Sequence, residues 1–83
     1  MDQTISVLPV DNFVQTCIAG FFEGFSYETV FELCNGQVWR QTDFTLSIAI
    51  AIRPDVLIYE SPFGGTRMKV EGESETISVT QLQ

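Results

Sequence analysis

Residues 43–52 read Asp-Phe-Thr-Leu-Ser-Ile-Ala-Ile-Ala-Ile, and no other segment constrains the fold as tightly. Phe44, Leu46, Ile48, Ile50 and Ile52 alternate strictly with Thr45, Ser47, Ala49 and Ala51. Period two over that length predicts a β-strand, because successive side chains of an extended chain point to opposite faces. Arg53-Pro54 ends it, since proline removes a ladder donor and biases the residue before it to extended geometry. Ten residues at about 3.3 Å each span roughly 33 Å, longer than most strands of a small domain.

Working outward, the same period recurs on both sides. On the C-terminal side, 55–60 reads as a strand and Ser61-Pro62-Phe63-Gly64-Gly65 as a loop. Residues 66–71 alternate Met68 and Val70 with Arg67, Lys69 and Glu71, Gly72 opens a turn, and 76–82 completes a meander. On the N-terminal side, 16–22 and 28–34 read as strands, with Gly24 in the turn between them. Asn35-Gly36 is a strong hairpin signal. A two-residue loop there pairs Leu33 with Val38 and Glu32 with Trp39. That register puts Phe31, Leu33 and Val38 on one face, and Val30, Cys34 and Trp39 on the other. The first fifteen residues are compatible with a strand at 4–7 or with a helical turn after Pro9. Short strands at this spacing, with no helical period between them, predict a single all-β domain over 1–83: a small antiparallel SH3-like barrel with one long alternating apolar strand at 43–52.

The chain also resembles a family of small bacterial SH3-like β-barrel proteins to which no activity is attached. The resemblance covers roughly residues 16 to 82. Its carriers are Phe22, Glu23, Gly24, Phe25, Thr29, Phe31, Leu33, Asn35, Gly36, Gln37, Trp39 and Gln41. Further on they are Arg53, Pro54, Ile58, Tyr59 and Met68 to Gly72. It implies the fold and, by itself, no function. Where the family strand mixes tyrosine with polar residues, this chain carries FTLSIAIAI, which removes polar groups from positions that could face water.

Composition narrows the chemistry. Eleven Asp and Glu against four Lys and Arg give a net charge of −7. Phosphate backbones are bound by clustered cations, so nucleic acid is not expected as a partner. With no histidine, the commonest general base and metal ligand is missing, and histidine-based triads are impossible. No phosphate-binding or dinucleotide fingerprint occurs. Glu71, Glu73 and Glu75 sit in and beside a turn, where they read as a solvated charge run. The expectation is therefore a protein that is not an enzyme and holds no cofactor or metal. No apolar run approaches the roughly 20 residues of a membrane helix, and the first residues lack a basic-then-apolar leader. That reading makes the protein cytoplasmic, with Cys17 and Cys34 reduced and packed as small apolar side chains; a Cys17–Cys34 disulfide is the alternative.

Two functional expectations follow. In the first, the protein is a structural or interaction module that self-associates, as a homo-oligomer, through Phe44, Leu46, Ile48, Ile50 and Ile52. A lone exposed edge of that composition invites pairing, and the usual protections of lysine, proline or an inward charge stand only at its ends. In the second, a groove around Trp39 and Gln41, with Tyr27 and Phe21 as exposed contacts, takes a peptide or small apolar ligand, as aromatics do on SH3-like barrels.

Overall fold

The computed structural model describes residues 13–83, all β with no helix among them. Its strands are β1 (Phe13–Cys17), β2 (Phe21–Phe22), β3 (Val30–Glu32), β4 (Val38–Gln41), β5 (Ala51–Ile52), β6 (Asp55–Glu60), β7 (Thr66–Val70) and β8 (Thr76–Gln81). The alternatives for residues 1–12, a strand at 4–7 or a turn after Pro9, lie outside the described residues.

Six strands form one antiparallel sheet in the order β1-β6-β7-β8-β4-β3, and β2 pairs with β5 apart from it. The sheet curls until its two edges meet. Ile18 bridges Leu33, the Ala19 N–H donates to the Glu32 carbonyl (2.8 Å), and the Cys34 N–H donates to the Cys17 carbonyl (2.7 Å). This closure at one corner makes the curled sheet a small SH3-like barrel. Its interior holds Ile18, Phe22, Phe25, Phe31, Leu33, Trp39, Val56, Ile58, Met68, Val70, Ile77 and Val79. Phe22 and Phe25 meet edge to face with ring centroids 5.3 Å apart, the arrangement that aromatic quadrupoles favour.

β6, β7 and β8 start where the sequence puts them, and each side-chain alternation is mirrored in burial. The predicted strand 16–22 is instead two. Gly20, at φ +118°, turns the chain out of β1 and away from the sheet before β2 begins. The Gly20 carbonyl then accepts the Arg53 N–H, which fixes the far end of the β2–β5 pair.

Around Asn35-Gly36 the predicted register is off by one. Glu32 pairs with Val38 and Phe31 with Trp39, so the loop has three residues, 34–36. Only Gly36 has positive φ (+91°), and its N–H reaches the Leu33 carbonyl. This is the geometry of a turn closing on a glycine, not of a two-residue type I′ turn. Because side chains alternate, the slip exchanges faces. Trp39 joins Phe31 and Leu33 inside, while Val30, Glu32 and Val38 turn outward.

The cysteines lie at this same turn, and they correct the expectation that both are reduced. Cys17 and Cys34 form a disulfide, with Cα atoms 5.2 Å apart. Cys34 is thereby tied across the closing seam to the end of β1 and is not available to face Gln37.

Candidate functional site

The segment 43–52 keeps its period of two along its whole length, but only Ala51–Ile52 carries a regular ladder. It runs antiparallel to 21–25. Phe21 faces Ile52 and Phe22 faces Ala51. Further back, the Ala49 N–H reaches the Glu23 carbonyl (3.4 Å) and the Ser47 N–H the Phe25 carbonyl (3.0 Å). The Ser47 hydroxyl is shared locally too: it accepts the Phe25 N–H and donates to Glu73. Thr45, Ser47, Ala49 and Ala51 thus face the barrel, and their small size lets the segment lie close against it.

Gly24 sets how close. A Cβ added there would lie 2.1 Å from the Ser47 carbonyl oxygen, and its φ is +108°. No other residue type fits under the strand at that point.

The start of the segment is held by a polar bracket. Gln41 is completely buried, and its side-chain amide donates to the Asp43 and Thr45 carbonyls and to the Asp43 carboxylate. Asp43 in turn accepts the N–H groups of Thr45 and Ser78 and lies 3.8 Å from Arg67. Burial pulls its pKa upward, but the hydrogen bonds from Ser78, Thr45 and Gln41 outweigh that and hold the carboxyl below its usual value. Gln41 Oε1 is buried without a hydrogen bond among the described residues.

On the outer face stand Phe44, Leu46, Ile48, Ile50 and Ile52, between 70 and 93% exposed. Phe44 stacks on Tyr27, centroids 4.5 Å apart. Phe21, equally exposed, joins Ile48 and Ile50 around a shallow hollow of about 470 Å³. The backbone N–H and C=O groups of Leu46, Ile48 and Ile50 point to the edge away from 21–25. They make no backbone hydrogen bond among the described residues.

The residues predicted to form a ligand groove do not converge. Trp39 is buried, with its indole N–H on the Gln37 side-chain oxygen, and Gln41 is the bracket just described. Tyr27 and Phe21 are exposed, but both belong to the surroundings of the apolar row. A second cleft, of about 500 Å³, lies between 18–26 and the outer edge of β3, and neither Trp39 nor Gln41 lines it. The roles of Gly24 and Gln41 were missed by sequence reasoning. A lone glycine in a turn carries no signal of the distant backbone packed on it, and a lone glutamine in a strand none of the chain folding back onto its amide. The Cys17–Cys34 disulfide stood only as the alternative, because the composition pointed to a reducing compartment.

Compared with known proteins, the chain matches no family model, no curated protein and no solved structure. The class is therefore defined by the fold alone: a small SH3-like β-barrel carrying an exposed apolar segment.

Proposed function

We propose that this is a non-enzymatic interaction protein that self-associates through the row Phe44, Leu46, Ile48, Ile50 and Ile52. The observation that carries the reading is that five large apolar side chains of one segment stand exposed together on one face. Burial of such a side chain stabilises by about 1.5–3 kcal/mol, which at about 25 cal/mol per Å² corresponds to roughly 60–120 Å² each. With Phe21 the row amounts to roughly 350–700 Å². That is at or above the roughly 300–600 Å² of the largest apolar patch on a typical monomer, which is itself often functional. It also approaches the ~800 Å² per partner of a standard interface.

A second copy is the partner the pattern favours. Large apolar side chains stand symmetrically about Ile48, two on either side. A two-fold related copy therefore offers a matching row, as an isologous interface requires. Nine residues, Phe44 to Ile52, carry no charge, so the row itself brings no like charges together, and Glu23 at the rim of its hollow is the nearest carboxylate lining it. Membership of the bacterial SH3-like family is kept as part of this proposal, on the motif pattern.

The setting is weighed by the disulfide. Such bonds persist in oxidising compartments, so Cys17–Cys34 favours one over the cytoplasm expected from the composition. No helix among the described residues is long and apolar enough to cross a membrane.

The test is the double substitution Ile48→Lys with Ile50→Lys. Both side chains point away from the barrel, so the variant is expected to keep the wild-type β circular dichroism and run as a smaller particle. Loss of folding would place these residues in a core and defeat the proposal. An unchanged particle mass would defeat it as well.

A further inference from the structure

We infer that the Cys17–Cys34 bond is a thiol-exchangeable redox site, opened by attack on Cys34 and assisted by Arg53. Three observations meet at this corner of the barrel. Cys34 lies in an exposed turn, while Cys17 is half-buried at the end of β1, which makes the Cys34 side the more open approach. The Arg53 guanidinium lies 3.8 Å from Cys17 Sγ. Its backbone is held in place at φ +50° by the Arg53 N–H bond to Gly20. A guanidinium at a sulfur stabilises the thiolate form, and exchange is faster when the leaving sulfur is the better-stabilised anion. Access on one sulfur and a cation on the other together define a direction of attack. Disulfides that only hold a fold together are more often inaccessible.

The co-reactant is a dithiol. Its thiolate attacks Cys34 Sγ, a new S–S bond forms there, and the Cys17–Cys34 bond breaks with its electron pair passing to Cys17 Sγ beside Arg53. The second thiol of the reductant then displaces Cys34. The reductant leaves as a disulfide, having supplied two electrons, and its two protons end on Cys17 and Cys34. Among described contacts, the opened seam keeps the Ile18–Leu33 bridge and the two backbone bonds beside it, so the site sits where the barrel closes.

The experiment uses the full oxidised chain, folded, in millimolar dithiothreitol, with free cysteines alkylated and counted by intact mass against time. Wild type should be reduced without denaturant. Arg53→Met should react roughly three- to tenfold more slowly, the size expected for a surface charge beside the leaving sulfur. Arg53→Lys, which keeps the charge, should stay near the wild-type rate. Should the Arg53 variants fail to fold, wild type alone still decides. Brief treatment with glutathione should leave the adduct on Cys34 and the free thiol on Cys17. Resistance to reduction until the chain unfolds, adducts chiefly on Cys17, or an Arg53→Met rate equal to wild type would each overturn the inference.

Discussion

Replacing Gly24 with alanine should be among the most damaging single changes outside the central core. The new Cβ would sit 2.1 Å from the Ser47 carbonyl oxygen, 2.8 Å from its carbonyl carbon and 3.0 Å from the Ile48 Cα. All three are backbone atoms, so no rotamer change relieves the clash, and the strand must lift by about 1 Å or more to reach ordinary van der Waals separation. Lifting it breaks the Ser47 N–H bond to Phe25 (3.0 Å) and the already long Ala49 N–H bond to Glu23 (3.4 Å). Overpacking costs about 1–3 kcal/mol, and a side chain at φ +108° adds about 1–3 kcal/mol more. A total loss of about 2–6 kcal/mol follows. Gly36→Ala is the control, because nothing lies within 4 Å of its added Cβ and only positive φ opposes it. Urea unfolding of both variants reads the difference as a shift in midpoint at unchanged slope. If Gly24→Ala were no less stable than Gly36→Ala, the close approach of 21–25 to the apolar segment would be refuted.

Other expectations follow from the same contacts. Gly36→Val should cost about 1 kcal/mol or more in urea unfolding, since a β-branched residue resists positive φ. Ile77→Ala removes a wholly buried side chain and should cost about 2–5 kcal/mol in the same assay. Asp43 has a depressed folded pKa, so its contribution is present above the unfolded value near 3.9 and is lost as pH falls through the lower folded value. Urea midpoints of wild type between pH 6 and pH 2 should therefore fall more steeply than those of Asp43→Asn; parallel profiles would contradict the bracket. Because each chain carries −7, added salt should strengthen self-association by screening the repulsion between copies, a trend readable by sedimentation at two ionic strengths.

What could be read from the chain was what depends on local period. The alternation at 43–52 gives both the extended course of the segment and the identity of its apolar side, and the structure leaves that side in solvent. Strands β6 to β8 were equally legible, since each alternates between turns marked by glycine or proline. The hairpin register was not, because Asn35-Gly36 is compatible with loops of two or three residues. The folded chain takes the three-residue loop, in which Cys34 bonds to Cys17 across the seam. Trp39 changed face with that single residue of slip. Gln41 illustrates the same limit: a glutamine in an amphipathic strand looks exposed until three acceptors from 43–45 are folded around its amide. The candidate site was therefore visible as a row of side chains, while the parts that support it depend on how the chain folds back, locally at Gln41 and between distant residues in Phe25 with Ser47 and Ser47 with Glu73.

Self-association through the outer face of 43–52 is tested most directly by the mass of the pure wild-type protein in solution. Size-exclusion chromatography with light scattering, run over a series of loading concentrations, should give a mass at least twice the 9.3 kDa of one chain, approached more closely as concentration rises. A particle of 9.3 kDa that persists at the highest concentration would contradict the account.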